Sequence, residues 1–115
     1  MIPEKEYPEI VKGLLEKTRQ GNVNWKERPD LQNKTSYRLL LPSGIRIELN
    51  YHTPETDPNY FELKLLNKDG KTVGSWVVSE DDDGSHILEE LYSEIAKRLT
   101  DWEKVLEDVK KFVGK

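Results

Sequence analysis

Residues 36–51 read SYRLLLPSGIRIELNY, and this stretch decides the fold. Apolar residues on both sides of Pro42-Ser43-Gly44 suit two strands that are joined by a tight turn. A three-residue connection keeps the apolar residues of both strands on one face, whereas a two-residue connection would set leucine opposite glutamate. We therefore predict strands over 36–41 and 45–51 in the first register. The predicted pairs are Leu41–Ile45, Leu39–Ile47 and Tyr37–Leu49, with Arg38–Glu48 on the other face.

Residues 60–79 read YFELKLLNKDGKTVGSWVVS and predict a second hairpin, with strands over 60–67 and 72–79. Asp69-Gly70 between two lysines favours a two-residue type I′ turn, which needs positive φ at both central residues. This turn would pair Leu66 with Val73. The residues expected to face the core are Phe61, Leu63, Leu65, Gly74, Trp76 and Val78.

Apolar residues at helical spacing bracket these strands. A first helix is predicted from Pro8, or slightly earlier, to Gln20, with Gly21 as a left-handed residue that ends it. A second helical region is predicted to begin with Ser85 as its N-cap. Thr100-Asp101-Trp102-Glu103 is a capping-box signature, so the sequence leaves open one long helix or two shorter helices that part near Thr100.

Together these elements predict a single α+β domain over residues 1–115. It consists of an N-terminal helix, a four-stranded antiparallel β-meander and a C-terminal helical region, with the helices on one face of the sheet. A short extended segment is expected to place Trp25 on the core. The predicted core contains Leu14, Tyr37, Leu39, Ile47, Leu49, Phe61, Leu63, Trp76, Val78, Leu91, Ile95 and Leu99, and Trp102 is expected to join it.

The composition argues against several classes of function. There is no cysteine, so thiol catalysis, disulfides and cysteine-ligated zinc are excluded. The formal net charge is −4, and Lys and Arg alternate with Asp and Glu along the chain, which argues against nucleic acid and anionic membranes as partners. The N-terminus lacks the features of a signal peptide, and no apolar run approaches the ~20 residues of a membrane span. We expect a cytoplasmic protein without a cofactor.

Two polar features invite a catalytic or metal-binding interpretation. The acidic run Glu80–Asp83 lacks the full ligand spacing of a calcium loop and is more typical of a solvated loop before a helix, although the sequence leaves cation binding open. His52 and His86 are assigned to separate loops with carboxylates nearby. A site of His52, Asp57, Asp83 and His86 would form if these loops met at one end of the sheet. A small enzyme or ligand-binding domain that uses these residues is the alternative function.

The second face of the predicted sheet is partly apolar. Two helices cover one face of such a sheet and leave the other open. An open apolar patch marks either a protein-binding surface or a homodimer contact, whereas isolated apolar residues among charged ones are ordinary surface. Both interpretations stay open here, and a weak homodimer is one expected form of contact. The residues of this candidate interaction face are Leu40, Tyr60, Leu66, Val73 and Val77.

Two stretches carry a resemblance to known proteins. Leu14-Leu15-Glu16-Lys17-Thr18 followed by Trp25, and Leu88-Glu89-Glu90-Leu91-Tyr92 running into Val105-Leu106-Glu107-Asp108-Val109, resemble small uncharacterised bacterial proteins. Those proteins share a helix, a short β-meander and a helical tail, and they often accompany mobile or defence-associated genes. The resemblance implies no catalytic residues. The small size, the acidity, the lack of a catalytic motif and the partly apolar sheet face favour a non-catalytic protein-binding accessory module, of an antitoxin-, immunity- or chaperone-like kind.

Overall fold

A computed structural model describes residues 2–28 and 34–114, apart from the side chains of residues 102 and 103. Within this part of the chain, five antiparallel strands lie in chain order across one sheet, with helices before and after them. A 3-10 turn at Glu4–Glu6 leads into the first helix. The elements are α1 Tyr7–Arg19, β1 Lys26–Arg28, β2 Lys34–Leu40, β3 Arg46–His52, β4 Tyr60–Leu66, β5 Thr72–Ser79, α2 Ser85–Thr100 and α3 Trp102–Gly114.

The prediction of four strands was wrong, because the short strand β1 pairs with the free edge of β2 and sets Lys26 opposite Arg38. Its sequence, Lys-Glu-Arg, has no apolar alternation that would reveal a strand. The strand is positioned by the preceding Trp25, which is buried as predicted. The Trp25 indole N–H donates to Thr18 Oγ1 at 2.9 Å, and the Thr18 hydroxyl donates to the carbonyl of Leu14 at 2.7 Å. These bonds tie the edge of the sheet to α1.

The β2–β3 hairpin and the β4–β5 hairpin each close with a three-residue loop that ends in glycine. Gly44 and Gly70 have φ of 94° and 84°, values that glycine adopts without strain. In the second hairpin the backbone N–H of Asn67 donates to the carbonyl of Lys71 at 2.8 Å, so three residues lie between the paired positions. Asp69 is not among the residues with positive φ, and the predicted type I′ turn was therefore wrong. The predicted register of β2 on β3 is confirmed.

A bulge in β5 compensates for the longer loop. Leu66 pairs with Thr72, whereas Leu65 pairs with Gly74, which leaves Val73 as the extra residue. The predicted Leu66–Val73 pair is therefore wrong. Without the bulge, the whole of β5 would shift by one residue and its apolar side chains would turn away from the core. The other predicted core pairs are confirmed: Leu65–Gly74, Leu63–Trp76 and Phe61–Val78.

The helix ends follow the backbone chemistry of the sequence. Gly21, with φ of 74°, ends α1 as predicted, and the N–H of Asn22 donates to the carbonyl of Lys17 at 3.1 Å. The C-terminal helical region is broken, because Asp101 adopts a left-handed conformation with φ of 49° between α2 and α3. Of the two arrangements that the sequence left open, the structure therefore has two shorter helices.

Ser85 does not cap α2 as predicted. Gly84 occupies the N-cap position, and Ser85 is the first helical residue. The Ser85 side chain is buried, and its hydroxyl donates to the carbonyl of Glu80 at 3.2 Å. Ser85 therefore links the beginning of the acidic run to the first turn of the helix.

The helices α1 and α2 contact each other and cover one face of the sheet, called here the inner face. Leu99 was predicted to join the core but is 40% exposed, since it lies in the last turn of α2 just before the chain changes direction. Leu14 and Trp76 are half-buried against the core, and the Trp102 side chain lies outside the described residues. The buried apolar core is Tyr7, Val11, Leu15, Trp25, Tyr37, Leu39, Ile47, Leu49, Phe61, Leu63, Leu65, Val78, Leu88, Leu91 and Ile95.

Candidate interaction surfaces

The apolar residues of the candidate interaction face lie on the outer face of the sheet, opposite the helices. Leu40 is 65% exposed on β2, and Val73 and Val77 are 46% and 58% exposed on the edge strand β5. Arg46 and Lys64 lie on the two strands between them. Charged side chains therefore divide the apolar residues. The remaining members, Leu66 and Tyr60, are half-buried.

The outer face carries far more positive than negative charge. Directly paired residues of antiparallel strands share a face, so the register assigns each charged side chain of the strands. By this register the outer face holds six cations and two carboxylates, a formal charge of +4 in a chain whose total is −4. The cations are Lys26, Arg28, Lys34, Arg38, Arg46 and Lys64, and the carboxylates are Glu48 and Glu62.

The two carboxylates of the outer face are mostly buried and already have hydrogen-bond or ion-pair partners. The Glu48 side chain is 8% exposed, and Arg38 Nε lies 3.4 Å from Glu48 Oε2. Glu62 Oε1 accepts from Asn50 Nδ2 at 3.2 Å and lies 3.0 Å from His52 Nε2. Burial acts to raise the pKa of Glu62, but the bonds from His52 and Asn50, with the nearby positive charges, hold that pKa below its usual value.

An open groove of about 560 Å³ lies at the β1 side of the outer face. Four cations, Lys26, Arg28, Arg38 and Arg46, line it together with one carboxylate, Glu27, and the exposed Leu40. Among the described residues, no ion pair involves Lys26, Arg28 or Arg46. The groove therefore presents positive charge to solvent.

Two buried polar residues lie next to these cations on the same face. Ser36 and Asn50 face each other across β2 and β3, and both are fully buried. Within the part of the chain that the structure describes, Ser36 Oγ and Asn50 Oδ1 have no hydrogen-bond partner. The centre of the outer face is thus polar and retains hydrogen-bonding capacity.

The last helix presents a second surface that the sequence did not single out. In the described part of α3, every side chain is exposed. Five of these are apolar and recur at helical spacing, so they form one continuous stripe along the helix. The α3 stripe consists of Val105, Leu106, Val109, Phe112 and Val113, with exposures of 57%, 44%, 50%, 86% and 70%. The sequence showed this periodicity and left open a break near Thr100, but it did not show that the break would separate the stripe from the core.

The prediction that both histidines lie in loops was wrong. His52 is the last residue of β3, and its ring stacks on Tyr60 with centroids 4.4 Å apart and planes inclined by 10°. His86 is the second residue of α2, and it lies beside Arg19 and Glu89 in a shallow groove between the helices. The two rings therefore belong to opposite sides of the sheet.

The carboxylates proposed to join the histidines are both exposed. Asp57 lies in the connection between β3 and β4, and Asp83 lies just before α2. The backbone N–H of His86 donates to the carbonyl of Asp83 at 3.4 Å. The structure thus brings Asp83 and His86 together, and none of the contacts in its described portion joins them to His52 or Asp57.

The acidic run begins with a residue that has a structural role. The Tyr51 hydroxyl lies 3.1 Å from both carboxylate oxygens of Glu80, and it accepts from Asn59 Nδ2 at 3.0 Å. Asp81, Asp82 and Asp83 point to solvent. Over residues 2–28 and 34–114, no three His, Asp or Glu side chains are grouped as a metal site would require.

Comparisons with protein-family models, curated proteins and solved structures found no match to this chain. The resemblance drawn from the sequence therefore stays a prediction. Among the described helices, none combines the length and apolar content that crossing a membrane requires. The function has to be argued from the two surfaces themselves, the α3 stripe and the outer face of the sheet.

Proposed function

We propose that this protein is a non-catalytic protein-binding module and that α3 is its binding element. The observation that carries the proposal is the exposure of the whole α3 stripe, including Phe112 at 86%. An isolated helix of this length is marginal in water, and most helices are stabilised by burying an apolar face. A helix whose apolar face is left uncovered by the described residues of its own domain is suited to bind in a groove or against another helix.

The stripe is large enough to support specific binding. Its five side chains present a few hundred Å² of apolar area, the size of patch that marks an interaction site. At ~25 cal/mol per Å², burying that area contributes roughly 10 kcal/mol before the costs of association. Those costs are about 4–15 kcal/mol, so α3 alone supports weak to moderate binding.

The charges of α3 indicate the polarity of its partner. The first half has a net charge of −2, from three carboxylates and Lys104, whereas the second half carries Lys110 and Lys111. A partner helix or groove with the opposite order of charges would pair with both halves. We therefore propose a partner protein with a complementary helical surface. A second copy in antiparallel orientation would also satisfy this pattern, so a weak homodimer is a test outcome.

The outer face of the sheet is less suited to this role. Its exposed apolar residues are separated by cations, whereas the α3 stripe is continuous. We propose that the module is an accessory protein of the antitoxin-, immunity- or chaperone-like kind that binds its partner through α3. No cofactor or catalytic residue enters this proposal.

Site-specific photo-crosslinking in cells that express the chain tests the proposal. A benzoylphenylalanine at position 112 lies on the stripe, and a matched probe at position 104 lies on the polar side of the same helix. We expect the probe at 112, and not at 104, to capture a discrete protein partner. Val109→Lys should abolish this product, while Lys111→Gln, on the polar side, should retain it.

The outcomes separate the alternatives. A heterologous product that depends on Val109 supports the proposal, and a product formed only between two copies identifies a homodimer in its place. Equal products from positions 112 and 104, or none from either, contradict a binding role for α3. Circular dichroism of each variant establishes that the domain remains folded.

A further inference from the structure

The outer face of the sheet has a positive net charge, whereas the net charge of the whole chain is negative. Charges that alternate along the chain are sorted by the strands, because successive side chains of a strand point to opposite faces. In β1, Lys26 and Arg28 lie on the outer face, and Glu27 between them pairs with the inward-facing Tyr37 while also lining the groove at the edge of the sheet. The composition argued against a polyanionic partner, but it could not show this segregation.

On the outer face the carboxylates are more buried than the cations, which strengthens the positive field at the surface. Both carboxylates of the face are recessed and paired, while Lys26 and Arg46 are exposed at its surface. Three arginines, Arg28, Arg38 and Arg46, line the groove beside them. Guanidinium forks match the oxygens of a phosphate group and donate two parallel hydrogen bonds to them, so the groove suits phosphodiesters.

The aromatic stack distinguishes nucleic acid from an acidic protein. His52 lies on Tyr60 four residues along β3 from Glu48, which faces Arg38, and four strand residues span about 13 Å. A flat ring pair at that distance from a phosphate-binding groove can accept an unpaired base, since every base has a π face. Aspartate and glutamate side chains have no ring that would stack there.

We propose that the outer face of the sheet binds single-stranded nucleic acid. Phosphates would occupy the groove of Lys26, Arg28, Arg38 and Arg46, and a base would stack on His52 over Tyr60. This site is separate from α3, so the proposal does not depend on the protein-binding function. With both sites, the protein would connect a protein partner to a nucleic acid strand.

Fluorescence anisotropy with labelled oligonucleotides tests this site on the full chain. The probes are 12-mers of oligo(dT) and oligo(A), measured across a series of salt concentrations. Single strands give a logarithmic salt slope of about −0.7 per phosphate contact, and three to four cations in contact predict a slope of roughly −2 to −3. Absence of binding at the lowest salt would overturn the proposal.

Charge-matched variants locate the site. Lys26→Glu with Arg46→Glu changes the groove, whereas Lys12→Glu with Lys17→Glu makes the same change of net charge on the exposed side of α1. We expect the groove pair to weaken binding more than tenfold and to reduce the salt slope by about 1.5, while the α1 pair changes affinity less than threefold. Equal losses from both pairs would show a diffuse charge effect and refute the assignment.

The nature of the ligand is decided by competitors and by the aromatic stack. Polyglutamate of matched charge should compete at least tenfold less well than oligo(dT), and vesicles of anionic lipid should not compete. His52→Ala should weaken oligonucleotide binding about fivefold or more and leave the salt slope unchanged. If polyglutamate or vesicles compete equally, or if His52→Ala has no effect, the face binds polyanions in general and the nucleic acid proposal fails.

Discussion

Gly74 is the position at which one added methyl group would disturb the core most directly. It lies on the inner face of β5, opposite Leu65. A Cβ there would lie 2.5 Å from the Tyr7 hydroxyl oxygen and 2.8 Å from Ile2 Cδ1. Ile2 is near the chain end and can yield, but Tyr7 is buried and stacks on Trp76 with centroids 5.7 Å apart. Gly74→Ala therefore forces Tyr7 to move.

The expected cost follows from two opposing terms. Overpacking of this kind costs about 1–3 kcal/mol, and replacing glycine in a strand returns roughly 0.5–1 kcal/mol. We expect Gly74→Ala to lower the free energy of unfolding by about 1–2 kcal/mol, measured by urea denaturation. Tyr7→Phe removes the atom that clashes, so Gly74→Ala should cost clearly less in a Tyr7→Phe background.

Gly13 is the matched control for the same substitution. It lies in α1, and an added Cβ would meet nothing within 4 Å. Gly13→Ala should therefore raise the free energy of unfolding by about 0.5–1 kcal/mol, through helix propensity alone. The steric argument is refuted if Gly74→Ala is neutral or stabilising, or if Tyr7→Phe gives it no relief.

Two further predictions follow from polar contacts. Thr18→Val should lower the free energy of unfolding by about 1–3 kcal/mol, because it leaves the buried Trp25 N–H without its acceptor; a loss below about 0.5 kcal/mol in urea denaturation would contradict this. The pKa of Glu62 is lowered in the folded state, so its ionised carboxylate stabilises the folded protein at pH values above the ordinary glutamate pKa. This stabilisation is lost as the pH falls through the pKa that Glu62 has in the folded state. Glu62→Gln should therefore cost about 1–2 kcal/mol at pH 7 and progressively less as the pH falls through the folded pKa of Glu62, and a cost that does not change with pH would contradict the linkage.

The hairpin register could be predicted because two independent patterns agree. Apolar alternation assigns one face to the core, and the spacing of Leu39 and Ile47 around the turn allows only one pairing that keeps that face apolar. The turn between β4 and β5 shows the limit of this reasoning. Asp69-Gly70 is compatible with a two-residue or a three-residue loop. The bulge at Val73 restores the register within β5, so the pattern of core residues is the same for both loop lengths.

The strand β1 and the exposure of α3 could not be read from local pattern. β1 has three polar residues and exists because its backbone meets the edge of β2 while Trp25 is held by Thr18. A helix that packs on its own domain and one that binds a partner have the same periodicity. In α3 the difference is made by Asp101, one residue in a left-handed conformation.

The same limit applies to charge, and here it bears on function. Net charge and alternation along the chain describe the order of residues, whereas a partner meets one face at a time. In a strand, neighbours such as Lys26 and Glu27 contribute to opposite faces, so an evenly mixed sequence can fold into a sheet with one basic side. In a helix the same mixture stays distributed around the axis, and in α3 the signs separate along its length instead. The secondary structure therefore determines which interleaved charges act together. In this chain of negative net charge it produces one basic face of the sheet, and it leaves the apolar stripe of α3 exposed.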